Sequence, residues 1–131
     1  MIALDTNILV RLLVQDDVEQ AKKVGELLHA AEINKQIYFV TLLVVLELIW
    51  VLEAVYDASK EDILHSLTEL LSMPVLSFEK QNALRSFIVS ARGTSFDLSD
   101  MLIAHSAKDE GCKMTYTFDK KAAKFKLFQK L

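Results

Sequence analysis

The chain has 131 residues, 52% of them hydrophobic and 25% charged, with a formal net charge of −3. That suits one globular domain with a real core, residues 1–131, and global charge alone argues against a nucleic-acid binder. One proline and three glycines leave little room for long irregular loops, and the single cysteine, Cys112, excludes a disulfide framework and a cysteine-based zinc site.

Ile2-Ala3-Leu4 is a short apolar run, followed by Asp5-Thr6-Asn7 and a second apolar run from Ile8 to Val14. This reads as strand, turn, helix, with Asp5 or Thr6 placed to cap the helix. From Asp16 to Ile33 the apolar residues Val18, Ala21, Val24, Leu27, Leu28 and Ala31 recur at helical spacing on one side, with charges on the other. Tyr38-Phe39-Val40 is the next strand candidate and Thr41 the cap of a helix running from Leu42 to Tyr56. That helix is apolar nearly all round, which predicts deep burial and makes Glu47, in its middle, a costly carboxylate unless it is partnered or faces water. Trp50 and Tyr56 are expected in the core or in a dimer contact.

Ser59 to Ser72 predicts an amphipathic helix stopped by Pro74, and Val75-Leu76 a brief strand. Glu79 to Ser90 predicts a helix with Ala83, Leu84, Phe87 and Ile88 inward, and Arg92 to Ser95 a loop. Phe96 to Asp119 is the most informative stretch. Asp97 and Asp100 stand three apart at the start of an apolar run, so they share the first turn of a helix. Asp97 is read as its N-cap, Gly111 as its stop, Met114 to Phe118 as a short buried strand, and Asp119 as lying just past that strand. A short helix is expected near Lys120 to Lys124, and Leu127-Phe128 is a last apolar pair.

Strands thus alternate with helices. This predicts an α/β fold, a sandwich with a central, mostly parallel sheet of four to five strands. Ligands in such folds bind outside the carboxyl ends of the strands. Asp5 and Asp119 follow strands directly, Glu47 lies in a helix leaving a strand, and Asp100 lies in the first turn of a later helix. These four acids are the candidate catalytic set. Like charges in one crevice repel, and a divalent cation relieves them; oxygen-only ligands suit magnesium or manganese. A metal so held can activate water against a phosphodiester. The histidines, His29, His65 and His105, have no zinc-like partner spacing, and His105 is read as a surface or packed residue.

Charge is unevenly distributed. Residues 113–131 carry six lysines and one acid, whereas residues 1–112 carry nine basic and seventeen acidic residues. Lys120, Lys121 and Lys124, next to Asp119, are therefore candidate contacts to nucleic-acid phosphates. The N-terminus has no basic segment leading into a signal-type apolar core, and Val40 to Leu52 is too short for a membrane span. A cytoplasmic protein without a membrane partner is expected.

The segments LDTNILV at 4–10, LELIWVL at 46–52, FDLSDMLIAHSAKDEGC at 96–112 and TYTFDKKAAK at 115–124 resemble those of PIN domains, most closely the VapC-type toxin ribonucleases. The resemblance spans essentially the whole chain. It implies a magnesium-dependent endoribonuclease acting on structured RNA such as tRNA or rRNA, silenced by a small cognate antitoxin, and a homodimer. Asp5 and Asp100 match the chief metal ligands, Glu47 and Asp119 the remaining acids, and Thr6, Asn7 and Thr117 supporting polar positions; whether Asp97 also binds metal stays open. The alternatives are an RNA-processing nuclease of the same kind and a non-catalytic RNA- or protein-binding module. A phosphatase with an aspartyl nucleophile, as in haloacid-dehalogenase-like enzymes, needs a second Asp two residues after the first, and Asn7 stands there.

Overall fold

In the computed structural model, which describes residues 1–131, six α-helices and five short strands follow one another in mixed order. The chain divides into two compact units, Met1–Glu79 and Lys80–Leu131. The first holds β1 (Ile2–Ala3), α1 (Thr6–Leu13), α2 (Val18–Asn34), β2 (Tyr38–Val40), α3 (Leu42–Ala54), α4 (Lys60–Leu71) and β3 (Leu76–Phe78). Its strands form one parallel sheet in the order β1-β2-β3, with Ile2 opposite Tyr38 and Tyr38 opposite Leu76. Parallel neighbours require long crossovers, and here each crossover contains two helices. Val40, Val45, Leu48, Ile49, Ile63 and Leu64 are fully buried and form the heart of this unit.

Helix α3 departs from its expected burial. Thr41 caps it, its hydroxyl accepting from the Val44 N–H at 3.2 Å, and Glu79 accepts from the Leu42 N–H at 2.8 Å. Val45, Leu48, Ile49 and Leu52 face inward, but Leu43, Glu47 and Trp50 are exposed. Their spacing of four and three puts them on one outer stripe of the helix. Glu47 is thus a solvated carboxylate, not a buried one, and Trp50 is not a core residue. Apolar composition all round hid the direction of the helix, because hydrophobicity without a moment carries no facing information. Tyr56 is likewise not simply packed: its hydroxyl donates to Asp16 at 2.9 Å, and Asp16 pairs with Arg11 at 2.6 Å, fastening the ends of α1 and α3 to the loop before α2.

The second unit holds α5 (Gln81–Ala91), α6 (Leu98–Asp109), β4 (Thr115–Thr117), a single 3₁₀ turn (Ala122–Lys124) and β5 (Phe128–Lys130). Helices α5 and α6 pack tightly on each other, and Phe87, Ala91, Met101 and Leu102 on these helices are all but fully buried. Gly111 (φ 94°) ends α6 in a conformation that suits glycine, and the Cys112 N–H then returns to the Ala107 carbonyl at 3.0 Å. Strands β4 and β5 are parallel, with Thr115 opposite Phe128. Strand β4 is not buried as expected: Thr115 and Thr117 are half-buried, whereas Tyr116 and Phe118 are exposed. Side chains alternate along a strand, and here the aromatics fall on the outer face of a sheet with only two strands. The five strands are therefore all parallel-paired, but in a three-stranded and a two-stranded sheet, not in one continuous sheet. No helix is long and apolar enough to cross a membrane.

Candidate active site

In the second unit, Asp97 precedes α6 in an extended conformation, and its Oδ1 accepts from the Asp100 N–H at 3.0 Å. This is the N-cap role read from the sequence. The bond satisfies one of the orphan donors of the first helical turn and fixes the Asp97 carboxylate beside Asp100. Asp119 acts in the same way beyond β4. Its Oδ1 accepts from the N–H groups of Lys121 and Ala122 at 2.8 and 2.9 Å, and its own N–H donates to Thr117 Oγ1 at 3.0 Å. Thr117 thus holds the backbone of Asp119.

Asp97, Asp100 and Asp119 line one cavity of about 200 Å³, together with Lys121. Phe96 and Phe125 form a stretch of its wall, their ring centroids 5.3 Å apart. Asp100 is half-buried, and its carboxyl is held above its ordinary range, first by burial and then by the charges of Asp97 and Asp119. Lys121 makes no ion pair, and Lys120, Lys121 and Lys124 are all exposed.

The donor chemistry of this cavity fits a hard divalent cation, since the donors offered are carboxylate oxygens and the crowding of Asp100 is what a cation would relieve. No three His, Cys, Asp or Glu side chains of the chain are grouped closely enough to hold a metal ion between them.

In the first unit, Asp5 follows β1 and caps α1 at its very start, Oδ1 accepting from the Thr6 N–H at 2.7 Å. Its backbone position is fixed by the sheet, since Leu4 continues the ladder by donating to the Phe39 carbonyl at 2.9 Å. Thr6 is buried, and its hydroxyl has no hydrogen-bond partner. Asn7 is exposed and borders a shallow cavity shared with Arg11 and Lys23. Glu47 stands on the solvent side of α3.

Sequence reasoning did not single out Phe96 or Phe125 for the cavity. The available signal was adjacency, since Phe96 directly precedes the capping Asp97. His105 is packed, its ring 6.4 Å from Phe87 and 5.9 Å from Phe125, and its Nε2 is buried without a partner. Burial, reinforced by Lys108 and Lys126, lowers its pKa and keeps it neutral, which suits a packing residue. Cys112 is exposed.

A family model described as PIN domain matches residues 2–127, a span that takes in most of each unit. No curated protein matches the chain.

Proposed function

The chain belongs to the PIN domain family, whose members are generally metal-dependent nucleases, and from that premise we propose that it is a Mg²⁺- or Mn²⁺-dependent endoribonuclease, the toxin of a type II toxin–antitoxin pair. The observation that carries this reading is the cavity of the second unit, where Asp100 is crowded by Asp97 and Asp119 beside an unpaired lysine. Asp5 and Asp100 are the proposed metal ligands, with Glu47 and Asp119 as the remaining acids, an assignment that for Asp5 and Glu47 rests on the motif match. When bound, the cation supplies neutralisation of the acids and a water acidic enough to attack a phosphodiester. The chain's own contribution is positional. The caps made by Asp97 and Asp119 each commit one carboxylate oxygen to the backbone and leave the other free. Lys121 offers an ammonium to a non-bridging phosphate oxygen, a contact that strengthens as negative charge builds up during attack. The proposed substrate is structured RNA, such as tRNA or rRNA, in the cytoplasm.

Two partners belong to the same reading. A small cognate antitoxin would have to cover the acids to silence them. A second copy of the chain, forming a homodimer, rests on the motif match alone.

The test is cleavage of labelled RNA by purified protein, with magnesium and with EDTA. Metal-dependent cuts with defined ends are expected. RNA bound but never cut, under any divalent metal, would leave only the non-catalytic binding module.

Replacing Lys120, Lys121 and Lys124 together by Ala is expected to weaken RNA binding with little effect on folding, since all three side chains are exposed. Removing each phosphate contact should flatten the log–log dependence of affinity on salt by roughly 0.7 on a single strand. An unchanged slope would place these lysines away from the substrate.

A further inference from the structure

Resting on the nuclease reading, we infer that Phe96 is a specificity-determining residue: its ring stacks on one unpaired nucleobase next to the phosphate to be cut. The cavity of about 200 Å³ is smaller than the range of roughly 300–1,000 Å³ usual for whole small-molecule ligands, so it takes a fragment of a polymer. Its lining divides into three chemistries. Asp97, Asp100 and Asp119 supply oxygens for a cation, Lys121 supplies a cation for a phosphate, and Phe96 with Phe125 supplies an aromatic surface. A nucleotide has the complementary groups, an anionic phosphate and a flat base with two π-faces.

The two rings differ in a way that assigns their roles. Phe125 is buried and also packs against His105, so it is held from behind. Phe96 is half-buried, tilted 54° against Phe125, and immediately precedes the cap Asp97. Phe125 flanks the Phe96 ring, and Phe96 also borders the cavity that the acids line. A base within a duplex has both faces covered by its neighbours, so stacking on Phe96 requires a base that is unstacked on one side. The cleavage position should therefore be a loop, bulge or end, and the stacking should discriminate against paired RNA independently of base identity.

The experiment compares wild type with Phe96→Ala, Phe96→Leu and Phe96→Trp on two single-stranded oligoribonucleotides of equal length, one intact and one abasic at every position. Binding is measured in calcium and cleavage in magnesium. Wild type should bind the intact strand more tightly than the abasic one by about 5- to 150-fold, the worth of one stacked base. Phe96→Ala should lose that ratio and raise KM more than it lowers kcat. Phe96→Trp should restore the ratio and Phe96→Leu should not, whereas a ring needed only to pack on Phe125 would be replaced by leucine. If Phe96→Leu matches wild type, or if wild type binds both strands equally, the stacking role is overturned. If wild type shows the ratio in binding but never cuts, stacking stands and the nuclease reading fails, so the two outcomes are separable.

Discussion

Purified Asp100→Asn protein is expected to cleave RNA at least about 100-fold more slowly than wild type, and Asp5→Asn to behave alike. Asn is nearly isosteric with Asp but supplies no anionic ligand. Loss of groups that merely orient metal ligands already costs about 10- to 100-fold, so loss of a direct ligand should reach at least the top of that range. Neither change should unfold the chain. Asp100 is not the residue that caps α6, since that bond is made by Asp97. The amide oxygen of an Asn at position 5 can still accept from the Thr6 N–H that Asp5 now holds at 2.7 Å. Full activity in either variant, in preparations free of contaminating nuclease, would remove that residue from the site.

In EDTA the same Asp100→Asn protein is expected to melt higher than wild type, yet to gain little from added magnesium. The Asp100 carboxyl is raised in the folded protein by burial and by Asp97 and Asp119. A raised folded-state pKa means that the folded form binds its proton more tightly than the unfolded chain does. The resulting stabilisation is complete below the ordinary carboxylate range, near pH 3.8, and is lost as pH rises through the folded-state value. At neutral pH the metal-free wild type therefore carries an unfavourable charge that Asn removes. Magnesium or manganese bound only to the native state restores stability by RT ln(1 + [L]/Kd), about 2.7 kcal/mol at a hundredfold excess over Kd. Thermal melts of both proteins in EDTA at pH 5 and 7.5, and in a magnesium series, decide the matter. Wild type unmoved by either metal, together with a variant melting no higher in EDTA, would show that Asp100 is not a metal ligand.

Much of this was legible in the sequence because local rules dominated where it mattered. Asp97 reads as an N-cap and is one; Gly111 reads as a helix stop and is one; Thr41 caps α3 as its position predicts. What stayed hidden depends on direction. Helix α3 contains so many apolar residues that periodicity could not reveal the outer stripe of Leu43, Glu47 and Trp50. Strand β4 reads as buried because Tyr116 and Phe118 are aromatic, but period-2 alternation puts both on the outside. The separation of the strands into two sheets was equally invisible, since strand propensity says nothing about which strands pair. The wall formed by Phe96 and Phe125 needed tertiary structure, because the two residues lie far apart in the sequence and meet only when the turn after Asp119 brings Phe125 back.

The capping bonds of Asp97 and Asp119 also have an entropic consequence. A side chain frozen on binding costs about 0.5–1.5 kcal/mol of affinity. Both carboxylates are already held by backbone N–H groups, so that loss of rotamer freedom is met during folding and not when a ligand arrives. The readiness of Asp119 is then tied to the integrity of one short turn, residues 119–122. Local fraying of that turn would disorder the carboxylate while leaving α5 and α6 folded, so ligand affinity should decline on warming before the cooperative melt begins.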